Sequence, residues 1–376
     1  MIRNEYDFQN DRIRPTRRIA VFAVVSNLWA FTQIPLQYEF DITGYVQQSK
    51  SSSLYVALYK SMAVVRTAGS IIILILYWWH RHEIAALLAD FQRLRHNRLK
   101  IVTLSPMTVC GFRNALLRKI AFGWIAGVFR LLSTAHLHKW RDRYNFITVS
   151  FSLSIQSQVF NHIFLISCAC NLYLEALNDE IRRIVNTLMA SSGQEPLSLF
   201  QFRRRRRSLI RKFNSLIMTR KELQRNVAQF NKILGVQVFC VICSLYLYNI
   251  GIIYTIYSLT KPNEAKALQI TSSEIAVFLF GNFMIFVDVA ESVLAIKRLQ
   301  ANFTLFLPAM RKLLELRQLD DHWKRSLEQI YLYEKCNPFR PIILGMIPLD
   351  GEGVLRYIAS TLSNSIILVQ YDYANF

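Results

Sequence analysis

An all-α membrane protein of seven transmembrane helices, with its N-terminus cytoplasmic, is the fold that three observations in this sequence predict. Of its 376 residues, 52% are hydrophobic and 13% aromatic, and the mean hydropathy of +0.21 is too high for a soluble chain of this length. Against that apolarity stands a formal charge of +20, so the apolar residues and the Lys and Arg must be gathered into separate blocks. Seven apolar blocks are found, and the strongly basic segments between them fall on alternate sides.

The first block covers residues 19–40, close to the ~20 residues needed to cross ~30 Å of hydrocarbon. A secretory signal has a shorter apolar core and then a small-residue cleavage site. Here Gln33-Ile34-Pro35-Leu36 continues apolar, so the block is a span. Further blocks lie at 54–79, 120–135, 146–177, 233–259, 270–294 and 354–371. All read as helices, because open strands would leave unpaired amides in lipid and the alternation of a membrane barrel is absent. The third is the shortest, and Arg130 interrupts it; the alternation of sides depends on its crossing.

Most of the 45 Lys and Arg lie in the N-terminal tail and in segments 80–119, 178–232 and 297–353. The positive-inside rule therefore puts the N-terminus in the cytoplasm and, with seven spans, the C-terminus outside. The sequon Asn302-Phe303-Thr304 then falls on the inner side, where it goes unused. In the long basic segments apolar residues recur at three and four, as at Leu305, Leu313, Leu316, Leu327 and Ile330. Segments 178–232 and 297–353 thus read as helical extensions forming a cytoplasmic anchor domain, with Ser191-Ser192-Gly193 and Pro196 interrupting the first. The run Arg203–Arg207 is a solvated topology determinant or a contact for anionic lipid. It lacks the interleaved aromatics of a single-strand binder, so no nucleic-acid partner is expected.

Enzyme chemistry finds no support. There is no activated nucleophile, no paired catalytic carboxylates and no phosphate-binding glycine loop. Cys240 and Cys243 form a CxxC with no second pair or His at zinc spacing, and His80, His82, His136 and His138 are paired at i, i+2 on different helix faces. Neither metal nor cofactor is expected.

The last span is unusually polar. Ser360, Ser363, Asn364 and Gln370 fall on one broad face, continued by Ile367 and Ala374. Polar groups in a membrane cost free energy unless they meet protein or water, so this helix is expected in the interior. The face lines a water path, or it is a dry hydrogen-bonding seam between helices. Asp372 lies just beyond, at the outer mouth, either as a cation-concentrating carboxylate or as a solvated terminal residue.

The ending Ser363-Asn364-Ser365-Ile366-Ile367-Leu368-Val369-Gln370-Tyr371 resembles the C-terminal signature of insect gustatory receptors: Thr-Tyr, five mostly hydrophobic residues, then Gln-Phe. Gln370 is identical, and Ser363, Asn364 and Tyr371 stand where Thr, Tyr and Phe are usual. Length, span count, inner N-terminus and the long basic loop between spans four and five resemble that family too. The resemblance implies a tetrameric, ligand-gated, non-selective cation channel whose last helices surround the pore. It makes Gln370 a gate residue with Ile367, Ala374 and Ser363 on the pore face and Asp372 at the mouth. It implies a small-molecule tastant, other gustatory receptor subunits and membrane lipid as partners, and a plasma-membrane location in gustatory neuron dendrites and cell bodies. Sugar-type members usually carry an acid after the Thr-Tyr pair, where Ser365 stands here, so non-sugar or bitter compounds are favoured.

In the resembled family the ligand pocket lies in the outer half of the bundle. There this chain has Phe151, Ser154, Gln158, Tyr246, Tyr254, Tyr257 and Phe280, which suit a small, mostly apolar ligand or an aromatic belt at the interface. Arg66 in span two joins them as an ionisable residue at membrane depth, with Glu274 as candidate partner or with backbone carbonyls around it. Asp288 and Glu291 are expected to pair with Lys297, Arg298 or the anchor helices, or to form a cation relay. Two other classes fit seven spans. A secondary transporter would show internal repeats and helices broken at midmembrane, and no repeat is found; a G-protein-coupled receptor would place the N-terminus outside.

Overall fold

The computed structural model describes residues 4–7, 12–15, 53–98, 104–135, 140–192, 199–259, 272–316, 321–349 and 351–375, with a few single positions besides. Most of the first expected span and the 193–198 connection lie outside the described residues. A short antiparallel ribbon, β1 (Asn4–Asp7) with β2 (Arg12–Pro15), comes first. Helices α1 (Ser53–Trp79) and α2 (Arg81–Asn97) follow with only His80 between them. Then come α3 (Pro106–Ala135), α4 (Trp140–Ser192), α5 (Leu199–Leu259) and α6 (Ser272–Thr304). Two short helices, α7 (Leu307–Leu314) and α8 (Asp321–Cys336), lead through the hairpin β3 (Ile342–Ile343) and β4 (Ile347–Pro348) to α9 (Gly351–Asn375).

Local chemistry explains the boundaries. Ser105 caps α3, its hydroxyl accepting the Thr108 amide at 3.2 Å ahead of Pro106, a residue suited to a first turn. Pro308 has no amide for the Thr304 carbonyl, so α6 ends and the chain restarts as α7. The β3–β4 connection is three residues, Leu344, Gly345 and Met346, with left-handed backbone at the first two, φ +51° at Leu344 and +71° at Gly345. Leu344 holds that conformation while resting on α5 at Gly235, where an added Cβ would lie 3.5 Å from its Cδ2.

Among the described residues four helices are long and apolar enough to cross a membrane: Val56–Trp79, Leu153–Ala190, Arg206–Ser258 and Leu279–Leu314. At 53 and 61 residues, α4 and α5 run about 80 and 90 Å, far beyond ~30 Å of hydrocarbon, so a large part of each stands clear of the bilayer. The third block, expected at 120–135, belongs to a helix that starts at Pro106; Arg113, Arg118 and Lys119 hide its first half from an apolarity reading.

Helix directions follow the expected alternation. α1 runs antiparallel to α5, with Tyr59 on Thr255 at one end and Gly69 on Ser244 at the other. α3 and α6 are likewise antiparallel, through Arg118–Glu291 and Phe129–Phe280, whereas α4 and α6 run together, through Asn171–Ala295 and Asn178–Asn302. Here one expectation is corrected. Asp288 pairs with Lys119 at 2.8 Å and Glu291 with Arg118 at 3.1 Å, not with Lys297, Arg298 or the anchor helices. Lys297 and Arg298 follow on the same helix and are exposed; α3, packed alongside, brings its cations to the carboxylates.

Among the described residues three apolar clusters hold these helices, the smallest being Ala115 of α3 with Phe164 and Cys168 of α4 and Ala295 of α6. The largest, at the basic end, joins Leu177 and Ile181 of α4, Phe213 and Leu223 of α5, Phe306, Met310 and Leu313 near the break after α6, and Trp323 and Leu327 of α8. The second joins Ile73, Phe160, Val238 and Val241, reaching Ile343 and Leu349 around the hairpin.

Candidate functional site

The last helix sorts its polar residues onto three lines. At about 100° per residue, Ser363, Ile367, Gln370 and Ala374 share one line, and all four are exposed in the single chain. On the opposite side Thr361, Ser365 and Asp372 are buried. Between these lines Ser360 and Asn364 meet α5. The Tyr246 hydroxyl lies 2.8 Å from Ser360 Oγ, and Asn364 Nδ2 donates to both that hydroxyl and the Ser360 carbonyl. Nearby, Asn249 Nδ2 donates to the Tyr357 hydroxyl at 3.0 Å. The buried hydroxyls use their own helix: Thr361 Oγ1 donates to the Tyr357 carbonyl and Ser365 Oγ to the Thr361 carbonyl, at 2.8 and 2.7 Å.

Two expectations change here. Asp372 and Gln370 are two residues apart, which turns them to opposite sides of α9, so Asp372, at 0% exposure, faces the bundle and does not join the Gln370 line. Nor is the helix interior to one chain, since Leu355 is 67% and Tyr373 82% exposed. Among the described residues α9 sits on α5 through a narrow stripe of Tyr357, Ser360 and Asn364.

The residues expected to share a ligand pocket separate. Arg66 lies in the seam of α1, α4 and α5, beside Tyr248. Its carbonyl accepts Gln156 Nε2 at 3.3 Å, and the same amide donates to Ser244 Oγ at 3.2 Å. Tyr254 is buried on α5 with its ring 6.0 Å from that of Tyr257. Tyr246 turns to α9, and Phe280 packs against Phe129 between α3 and α6, the tilted rings 4.5 Å apart at their centres. Ser154 and Gln158 are exposed on α4, while the side chains of Phe151 and Glu274 lie outside the described residues. Aromatic and hydroxyl composition marks depth in a membrane, and lipid-facing and inward positions at one depth share it. The reading missed Gln156, Ser70 and Ser244; the signal available was small and polar residues in spans two, four and five where helices approach closely, as at Gly69.

A second polar chain runs through the basic end. Asn171 Nδ2 donates to the Ala295 carbonyl, and Asn302 Nδ2 to Asn171 Oδ1 at 3.1 Å and Glu175 Oε1 at 3.4 Å. Asn178 Nδ2 donates to the Asn302 carbonyl at 2.8 Å. Arg220, 1% exposed, donates to Asn178 Oδ1 and the Phe303 carbonyl, and its guanidinium lies 3.6 Å from the Phe306 ring centre. Burial lowers the Arg220 pKa to about 9 while the Glu334 carboxylate opposes the shift, so the cation persists at neutral pH. The sequon side chain Asn302 is thus enclosed in the protein, leaving no room for a glycan.

Comparison with known proteins agrees with this architecture. The family model described as 7tm Chemosensory receptor matches residues 1–375. Among curated proteins, the chain is 24% identical to a Drosophila melanogaster protein named as gustatory receptor 36a, covering 100% of this chain and 95% of that one. It is 23% identical to the protein named as gustatory receptor 36b of the same organism, covering 99% and 94%. A helical bundle with four membrane-length apolar helices among the described residues and a family match along the whole chain lead to one assignment: this protein belongs to the insect gustatory receptor family of seven-transmembrane chemosensory receptors.

Proposed function

We propose that the chain is one subunit of a ligand-gated, non-selective cation channel, a tetramer in the plasma membrane of gustatory neurons. Its basic end and N-terminus face the cytoplasm. The supporting observation is the exposed line Ser363–Ile367–Gln370–Ala374: an amide and a hydroxyl on a membrane-crossing helix are costly against lipid, and copies of the same line around an axis give them water. A non-sugar small molecule entering the seam of α1, α4 and α5 near Arg66 spreads the four α9 helices, which needs only a few kcal/mol of differential affinity between open and closed states.

Heterologous expression with single-channel recording tests this reading. Unitary current steps evoked by a tastant are expected, and Gln370→Ala is expected to change conductance or gating while surface delivery stays at the wild-type level. Saturable flux without steps at every ligand concentration would replace the channel by a transporter. An epitope on Met1 detected on unpermeabilised cells would invert the orientation.

A further inference from the structure

A cavity of about 370 Å³ opens at the basic end between the first turns of α3, the middle of α4 and the inner part of α6, away from both α9 and Arg66. Its volume is at the lower end of the range for small-molecule sites. One part is apolar, with Phe112 and Ala115 of α3, Phe164 and Leu172 of α4 and Ala295 of α6. Gly111 opens it further, since a Cβ built there meets nothing within 4 Å. The other part is charged. Glu175 and Asp179 stand one turn apart on α4, where (i, i+4) side chains share a face, and Glu291 and Arg298 complete the lining from α6.

The charges are not equally committed. Glu291 is held by Arg118 at 3.1 Å. Among the described residues Glu175 accepts one long hydrogen bond, 3.4 Å, from Asn302, and Asp179 pairs with Arg182 alone at 3.6 Å, with both of these half exposed. Two carboxylates with acceptor sites to spare, above an apolar floor, suit a group with several N–H donors on a short apolar body. We infer that this cavity binds a primary ammonium amphiphile, its nitrogen bridging Glu175 and Asp179 and its apolar part over Phe112 and Phe164. Arg298 at the rim gives an attached anionic group a place, so the ammonium belongs either to a free amine or to the headgroup of an aminophospholipid. Through Glu175 and Asn302 the occupant touches the polar chain that ends at Arg220.

The test uses the purified full-length protein in phosphatidylcholine nanodiscs, open to both membrane faces, so it stands or falls independently of channel activity and orientation. Hexylamine is expected to raise the melting temperature, and trimethylhexylammonium and hexanol are not. Glu175→Gln is expected to weaken hexylamine about tenfold or more, the loss of one charge-assisted contact. Gly111→Leu keeps every charge and fills the void; it is expected to melt as high as wild type without ligand and to lose the hexylamine response. If the lipid is the occupant, phosphatidylethanolamine nanodiscs raise the melting temperature of wild type but not of Gly111→Leu, and hexylamine then adds little. No shift with either probe, or equal shifts in wild type and Gly111→Leu, overturns the site.

Discussion

Along the single helix α5, two regions are held by opposite means. Near Arg220 the helix is locked by a cation without access to water, by the Asn178 amide and the Phe303 carbonyl that receive its hydrogen bonds, and by apolar neighbours such as Phe213 and Leu223. Toward the far end it meets α9 through Tyr246 and Asn249, while the buried hydroxyls of α9 bond within their own helix. Separating helices in the first region strands buried donors and acceptors, each costing about 1–3 kcal/mol. Separation in the second breaks the bonds of Tyr246 with Ser360 and Asn364 and of Asn249 with Tyr357, but these groups are exposed or only part-buried, so less is lost. The basic end is therefore built to stay assembled, and α9 to shift on its neighbour at low cost.

The largest effect that sharpens this comparison is expected at Arg220. Arg220→Ala removes the donor to Asn178 and Phe303 and the cation over Phe306, a loss of about 3–5 kcal/mol for breaking a buried charged network. Melting of the purified protein followed by tryptophan fluorescence should show a fall of many degrees. Arg220→Lys should recover only part of it, because an ammonium lacks the planar fork that reaches two acceptors. A melting temperature unchanged in Arg220→Ala would remove the distinction between the two regions.

Next comes the α3–α6 contact. Lys119 is 6% exposed and reaches the Asp288 carboxylate, the Asp288 carbonyl and Ser292 Oγ. Lys119→Met leaves the carboxylate without its cation, at a cost of about 3 kcal/mol. Pairing it with Asp288→Leu removes both charges and should return most of the loss. Size-exclusion profiles of fluorescently tagged protein after a heating series read the recovery, and a double variant as weak as the single one contradicts the pairing.

How much of this was legible beforehand follows from what a linear pattern encodes. Apolar runs matched α1 within a residue and overlapped α4, α6, α9 and the last 27 residues of α5, because membrane-crossing helices declare themselves by length and hydropathy. They missed the first half of α3, where charges that look solvated are satisfied by Glu291 and Asp288 some 170 positions later. Depth was readable for Tyr246 and Phe280, yet the direction each faces was not, since that depends on which helices lie beside α5 and α6. Asp372 shows the converse. Its position two residues after Gln370 already implied opposite sides of one helix, and helical angle, had it been applied, separates the two.

A smaller effect is expected where α9 touches α5. Tyr246→Phe removes the hydroxyl shared by Ser360 and Asn364, whereas Asn364 keeps the Ser360 carbonyl as partner. The change is about 1 kcal/mol, equivalent to roughly fivefold in an equilibrium between two positions of α9. Surface delivery should stay normal while the half-maximal ligand concentration moves about that much in current recordings. A fall in melting temperature matching that of Arg220→Ala would mean that α9 is as firmly built in as the basic end.

The smallest effect isolates burial from charge. Arg356 near the start of α9 pairs with Glu352 one turn earlier, with side chains 72% and 68% exposed. The chemistry, a guanidinium given an acceptor, is that of Arg220, but water solvates both partners whether or not they meet, and exposed (i, i+4) pairs contribute about 0.3–0.5 kcal/mol. Glu352→Gln should therefore shift the melting temperature by about a degree or less, and raised salt should erase even that, since screening acts on exposed pairs. The loss in Arg220→Ala should persist in the same salt. If salt instead reduced both losses in proportion, Arg220 would be sampling water, and the fixed character of the basic end would have to come from its apolar core alone.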